Sequence, residues 1–135
     1  MIIDHICFAV ENIKDGIVYW EDIFGYKQIT KIVVNTRQKV KVVFLGKKDC
    51  VTIKLIESLE GNNSLINFIG RNGGFHHICF KTNDLKREID ELQKKSLKIL
   101  VPPEPGEAFN NKNIAFMLAK NGLIIELTES DINPI

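Results

Sequence analysis

Four polar side chains that could bind a metal ion or move a proton occur at matching places in two halves of this chain. They are His5, Lys54, His77 and Glu126. His77 follows His5 by 72 residues, and Glu126 follows Lys54 by the same 72. Imidazole nitrogens and carboxylate oxygens are good ligands for divalent metals, whereas a protonated lysine offers only donors and a positive charge. Three of the four residues therefore predict a metal centre, and Lys54 leaves its existence open.

The same offset relates longer segments of the chain. The sequence HICF at residues 5–8 returns at 77–80, and residues 51–55 align with 123–127. A fixed internal period indicates two copies of one supersecondary unit. Hydrophobic periodicity and turn residues divide each copy into a strand, a helix and three further strands. The sequence thus predicts an α+β fold made of two repeated modules.

We expect one domain over residues 1–135, with module one at about 1–58, a connector at 59–74 and module two at about 75–130. Helices are predicted from the Asn12 cap to Phe24, where Gly25 ends the helix, after Ser64 in the connector, and near 84–95. The helix that ends at Phe24 has an apolar face of Ile13, Ile17, Trp20 and Phe24. Strands are predicted at 2–10, 27–34, 39–46, 50–58, 75–82, 97–101, 113–119 and 122–129. Residues 102–111 are predicted to form a long loop, and residues 130–135 a loose tail.

Strand alternation predicts that the polar positions share one kind of face. Side chains alternate between the two faces of a strand, so His5, His77, Lys54 and Glu126 all point away from the helix-covered side. Two curved sheets related by a pseudo-twofold axis would aim these faces into a common cleft. A lone histidine on a strand is usually a packed core residue, but two at equivalent positions make ligands the better interpretation. His76 has the opposite parity and is predicted to be a rim or packing residue.

Bulk properties narrow the class of protein. The net charge is +1, so no overall electrostatic attraction to nucleic acid is expected. No apolar run reaches the length of a membrane span, and the N-terminus lacks the basic start of a signal peptide. The chain has 3 widely spaced cysteines, an odd count that does not make a disulfide framework. A cytoplasmic protein without nucleic-acid or membrane partners is therefore expected.

The repeat resembles the vicinal oxygen chelate superfamily, which includes glyoxalases, bleomycin-resistance proteins and extradiol dioxygenases. The resemblance covers essentially the whole chain and is most like methylmalonyl-CoA epimerase and glyoxalase I. It is carried by the segments DHICFAV at 4–10, GGFHHICF at 73–80 and LIIEL at 123–127. It implies a single glyoxalase-like domain of two βαβββ modules that form one curved mixed sheet around a central cleft.

Metal ligands in the relatives come from the first and last strands of each module, which implies His5, Lys54, His77 and Glu126 here. The epimerases and glyoxalases have Gln or Glu where this chain has Lys54. Three interpretations stay open. His5, His77 and Glu126 bind a divalent ion (nickel, cobalt, zinc, manganese or iron) while Lys54 stands aside; a neutral Lys54 joins them; or Lys54 pairs with Glu126 and replaces the metal.

The resemblance implies a metal-dependent isomerase or lyase that stabilises the enediolate of a carbonyl or acyl-thioester substrate. Glu126 is the candidate base, and Lys54 is a second catalytic candidate, because Val42 stands where some epimerases carry another Glu. The alternatives are a metal-free small-molecule binding protein of the antibiotic-sequestering type and a two-His-one-Glu oxygenase. A small-molecule substrate is the expected partner, and the resemblance also allows a homodimer.

Overall fold

The computed structural model describes residues 1–71, 73–106 and 112–129. Backbone contacts divide the chain into two compact units. One unit is His5–His76, and the other combines Met1–Asp4 with the chain from His77 onward. We call them the first and second unit, because they correspond closely to the two predicted modules.

The first unit consists of a mixed sheet and two helices. Its elements are the part of β1 (Ile2–Ala9) from His5 onward, α1 (Ile13–Phe24), β2 (Lys27–Gln28), β3 (Val33–Asn35), β4 (Val40–Gly46), β5 (Thr52–Ser58) and α2 (Asn63–Gly70). The strands lie in the order β2-β4-β5-β1, and β3 also pairs with β4. β1 and β5 are parallel, and the other pairs are antiparallel.

Helix α1 covers one face of this sheet. The Asn12 side chain caps the helix by accepting a hydrogen bond from the backbone N–H of Asp15, and Gly25 ends it in the left-handed conformation at φ 73°. Its buried residues Ile13 and Ile17 pack on sheet residues that include Val43, Leu45, Ile53 and Leu55. The predicted start and end of the helix are therefore confirmed.

The predicted apolar face of α1 is only partly correct. Phe24 is 42% exposed, and Tyr19 and Ile23 on the same helix are also exposed. The Phe24 ring packs on the Trp20 ring with centroids 4.8 Å apart. Phe24, the last residue of the helix, therefore belongs to an aromatic surface cluster with Tyr19 and Trp20 instead of to the core.

The second unit repeats this plan. Its elements are the part of β6 (Gly74–Thr82) from His77 onward, α3 (Leu85–Lys94), β7 (Lys98–Gly106), β8 (Lys112–Leu118), a short 3-10 turn (Lys120–Gly122) and β9 (Ile124–Glu129). The strands lie in the order β6-β9-β8-β7, with β6 and β9 parallel and the other pairs antiparallel. The buried residues Leu85 and Ile89 of α3 pack on Ala115, Met117, Ile125 and Leu127.

Three predicted boundaries are wrong. The predicted strand at 27–34 is two short strands, β2 and β3, which both pair with β4. Asn62, and not Ser64, caps α2 by accepting from the backbone N–H of Leu65. β7 continues to Gly106 through three prolines, with register shifts along its pairing with β8. Proline is tolerated there because β7 is the last strand in the order of the described strands, where one edge needs no ladder hydrogen bonds.

The predicted α+β fold of two repeated βαβββ modules is confirmed. The described helices are all too short or too polar to span a membrane. The rest of the predicted 102–111 loop and the predicted tail from residue 130 lie outside the described residues. The predicted central cleft and the single-domain organisation stay predictions.

Candidate active site

The first unit holds His5 and Lys54 on the sheet face opposite α1. Strand β1 pairs with β5 so that Cys7 lies beside Lys54 and His5 beside Thr52. His5 is fully buried, and Lys54 is 6% exposed. The predicted alternation therefore places both polar candidates correctly, away from the α1 core.

The Phe44 ring of β4 lies close to both of these side chains. It is the antiparallel partner of Lys54, and the His5 ring stands edge-on to its ring, with centroids 5.2 Å apart and planes at 82°. The Lys54 Nζ atom lies 5.9 Å from the centroid of the same ring. This distance is within the range in which an ammonium group is attracted to an aromatic face. The buried end of Lys54 is thus held against apolar surface.

The second unit holds His77 and Glu126 on the face opposite α3. Glu126 lies beside Cys79 of β6 and Phe116 of β8 in the sheet. The His77 Nε2 atom is 3.0 Å from Glu126 Oε1, and the two side chains are 2% and 0% exposed. The His77 ring stands edge-on to Phe116, with centroids 5.3 Å apart and planes at 90°. A buried carboxylate is therefore paired with an imidazole that packs against an aromatic ring.

The two phenylalanines beside these histidines, Phe44 and Phe116, are related by the repeat, and the sequence analysis missed them. Phe116 follows Phe44 by the same 72 residues that separate the histidines. Each unit therefore has a buried histidine with a phenylalanine edge beside it. The offset could have identified these two residues, but an aromatic residue in a strand is usually assigned to the core. Both side chains instead line the polar face.

The other residues that the sequence analysis placed near the candidate site are buried or half-buried. Cys7 and Cys79 are fully buried and free of disulfides. His76 is half-buried, and its ring stands at 83° to the ring of Phe68 of α2, with centroids 5.1 Å apart. Val42 is 1% exposed and lies two residues from Phe44 on the same face of β4. The first unit therefore has an apolar side chain at this position.

The donor atoms can be judged by their chemistry. His77 and Glu126 together offer a nitrogen and carboxylate oxygens at contact distance, a combination that suits a divalent transition metal. Their shared hydrogen bond also suits proton transfer, since one partner accepts what the other donates. Protonated Lys54 has no lone pair for a metal, so the fourth predicted position does not fit a ligand in that form. Glu126, His77 and His5 remain the candidate donors.

Comparison with known proteins finds relatives over most of the chain. The family model for the Glyoxalase/Bleomycin resistance protein/Dioxygenase superfamily matches residues 4–128. The Bacillus subtilis protein YqjC is 33% identical over 130 residues, which cover 94% of this chain and 91% of YqjC. The mitochondrial methylmalonyl-CoA epimerase of Dictyostelium discoideum is 26% identical over 131 residues, covering 94% of this chain and 77% of the epimerase.

A solved structure has the same fold. A variant of Streptomyces coelicolor methylmalonyl-CoA epimerase in complex with 2-nitronate-propionyl-CoA superposes with a TM-score of 0.80 at 24% identity. The match covers 97% of this chain and 98% of the epimerase. The family model spans nearly all of the described residues, including His5, His77 and Glu126. The chain therefore belongs to the Glyoxalase/Bleomycin resistance protein/Dioxygenase superfamily.

Proposed function

We propose that this protein is an isomerase that removes and returns a proton on the carbon next to the carbonyl of an acyl-thioester substrate. Methylmalonyl-CoA is the first substrate to test, because several relatives are methylmalonyl-CoA epimerases. The observation that carries the proposal is the buried His77–Glu126 pair, with its 3.0 Å contact. A carboxylate in such a site is protected from water and available to a carbon acid.

Glu126 acts as the base in this proposal. Its carboxylate takes the proton from the substrate carbon while negative charge develops on the carbonyl oxygen. In the absence of a metal ion, His77 keeps the carboxylate oriented through the contact between Nε2 and Oε1. Phe116 stands edge-on to His77 and restricts the imidazole to this orientation. The chain's own groups thus supply the positioning that proton abstraction needs.

His5, His77 and Glu126 would hold a divalent metal ion. Two imidazoles and one carboxylate fit such an ion by the chemistry of their donors, and all three side chains are buried. When bound, the ion would stabilise the negative charge on the carbonyl oxygen. Lys54 does not fit a four-residue ligand set, so the proposed site has three protein ligands.

Lys54 supplies the second proton in this proposal. Epimerisation requires a proton to leave one side of the carbon and another to arrive on the other side. Val42 cannot serve, because its side chain is apolar, whereas the Lys54 ammonium can donate. After one turnover, Glu126 is protonated and Lys54 is neutral, and proton exchange with solvent restores both groups. A Lys54→Ala variant with wild-type turnover would refute this role.

The buried lysine also favours a second candidate, a metal-free small-molecule binding protein. Lys54 is buried, with Nζ 5.9 Å from the Phe44 centroid, and a protonated lysine has no lone pair to offer a metal. A two-His-one-Glu oxygenase is the third candidate, and it requires iron. Metal content separates the binding protein from the two metal-dependent candidates, and oxygen consumption separates the oxygenase from the isomerase. The protein should therefore be purified without a tag or chelator and submitted to elemental analysis beside a His5→Ala/His77→Ala double variant.

The activity test is exchange of the substrate α-proton with D2O, followed by proton NMR on methylmalonyl-CoA with a protein-free baseline. Glu126→Gln should lower the exchange rate by about 100-fold or more, because it removes the base. Glu129→Gln is the matched control: Glu129 lies three residues further along β9 and is half-buried. Metal with exchange supports the isomerase, and iron with oxygen consumption supports the oxygenase. Neither metal nor exchange, even after reconstitution, supports the binding protein.

A further inference from the structure

Along the polar face of β1 and β5, the pairs His5–Thr52 and Cys7–Lys54 are followed by a third pair. The chemistry of this third pair differs between the two units. In the first unit, β1 and β5 place Ala9 beside Ile56. The repeat-related pair in the second unit, 72 residues later, is Lys81 beside Thr128. Ala9 and Ile56 are buried apolar residues, as a packed sheet face requires. The second unit has a cation and a hydroxyl group at the same positions.

Thr128 has a buried hydroxyl group that would be stabilised by a hydrogen-bond partner. Its side chain is 1% exposed, and its Oγ1 atom has no hydrogen-bond partner among the residues that the structure describes. Its antiparallel neighbour is Ile114, whose side chain cannot accept or donate. Buried hydroxyl groups in native proteins are nearly always hydrogen-bonded, because desolvation without a partner is unfavourable. An isoleucine, as in the first unit, would avoid that cost.

Thr128 lies close to the proposed base. It is two residues beyond Glu126 on β9 and therefore points to the same face. Two residues of a strand span about 6.6 Å. One substrate can therefore contact both residues, because each contact spans about 3 Å. Its acidic carbon would touch the Glu126 carboxylate, and an oxygen two bonds from that carbon would touch the Thr128 hydroxyl. The hydroxyl group is thus at the right distance to reach the same small molecule.

Lys81 adds a positive charge at this end of the face. It is the parallel neighbour of Thr128 and is half-buried, so the end of the face that it occupies reaches solvent. A lysine ammonium has three donors, and a threonine hydroxyl has one. Together they suit an anionic oxygen better than a neutral carbonyl, because a charged acceptor strengthens each hydrogen bond.

We propose that Thr128 and Lys81 form a subsite for a carboxylate that the substrate carries next to its acidic carbon. The inference rests on the proposed function and narrows its substrate class to acyl thioesters with a carboxylate at that carbon. Thr128 donates its hydroxyl hydrogen to one carboxylate oxygen, and Lys81 neutralises the charge. These residues decide which substrate is held, whereas Glu126 performs the chemistry.

Binding of two coenzyme A esters by calorimetry tests the subsite. Methylmalonyl-CoA has the carboxylate and propionyl-CoA lacks it. The wild type should prefer methylmalonyl-CoA, and Thr128→Val should reduce that preference by about tenfold to 100-fold, as expected when a buried polar group loses its ligand. Lys81→Met should also reduce it, and Thr128→Ser should keep it, because the hydroxyl group remains.

Thr82→Val is the matched control. Thr82 is also a buried threonine of this unit, at 3% exposure, but its Oγ1 atom accepts a hydrogen bond from the backbone N–H of Asp84 at 3.2 Å. The control should lower the thermal midpoint and leave the preference within twofold. Thr128→Val should leave the midpoint unchanged or raise it. A purely structural Thr128 would give the reverse pattern: a lower midpoint with an unchanged preference.

The outcomes separate the subsite from the proposed function. Equal affinity of the wild type for the two esters would overturn the subsite alone, even if α-proton exchange proceeds. A preference that Thr128→Val abolishes would support the subsite even if no exchange occurs, and the proposed isomerase would then fail by itself. If neither ester binds, both the substrate class and the subsite are overturned.

Discussion

The buried pair of His77 and Glu126 should dominate the stability of the second unit. Its contact is 3.0 Å, and the two side chains are 2% and 0% exposed, so water cannot replace a lost partner. Removing one member of a buried charged pair costs about 3–5 kcal/mol, because their interaction is lost at a position that water does not reach. Glu126→Ala should therefore lower the free energy of unfolding by about that amount.

Glu126→Gln separates the effect of the carboxylate charge on stability from the effect of the side chain's size and shape. Glutamine keeps the length of the side chain and can still form a hydrogen bond with the imidazole, but the bond is no longer charge-assisted. The difference between charged and neutral hydrogen bonds is about 1–1.5 kcal/mol, so the glutamine variant should fall between the wild type and Glu126→Ala. Glu129→Gln, on the same strand but half-buried, should stay within about 0.5 kcal/mol of the wild type.

The assay is urea unfolding followed by circular dichroism, with a chelator present so that metal binding does not contribute. A temperature scan of the same variants gives a second measurement: for a domain of this size, a loss of 3–5 kcal/mol should lower the thermal midpoint by roughly 6–20 °C. If Glu126→Ala costs less than about 1 kcal/mol, or if Glu129→Gln costs as much as Glu126→Gln, the pair does not stabilise the protein. The proposed orientation of the base by His77 would then have to be abandoned.

Three further predictions concern other positions. Lys54→Gln should raise the affinity for cobalt at least about tenfold over the wild type in calorimetry, because it replaces a cation by a potential ligand; equal affinity would place position 54 outside the metal site. Burial raises the pKa of the Tyr26 phenol, and Cys50 adds to the rise. The neutral phenol therefore stabilises the fold fully below the ordinary pKa of about 10, and this stabilisation is lost as the pH rises through the higher folded pKa. An ultraviolet titration should show one tyrosine ionising above the other, and Tyr26→Phe should remove that step; joint ionisation would contradict it. Gly73→Ala should destabilise the protein by about 2 kcal/mol, since φ is +59° and an added Cβ would lie 2.8 Å from the Ala9 carbonyl oxygen. Gly70→Ala, where an added Cβ meets nothing within 4 Å, should be neutral or stabilising by up to about 1 kcal/mol in urea unfolding; equal losses for the two variants would refute the steric argument.

The sequence alone determined the repeat, the two modules and the face of each candidate residue. A fixed offset and strand alternation are enough for this, because both follow from backbone geometry. They correctly assigned His5, Lys54, His77 and Glu126 to the faces opposite the helices. The turn and capping residues similarly predicted α1, from Asn12 to Gly25.

Other features depend on distances that only tertiary structure decides. Alternation gives the face of a side chain but not its rotamer or its neighbours, so the contact between His77 and Glu126 could not be predicted from spacing. The extension of β7 through its prolines depends on its place at the end of a sheet order. The missing partner of Thr128 among the described residues likewise became visible only once Ile114 was placed beside it. Local patterns therefore specified the elements, and long-range packing specified which side chains meet.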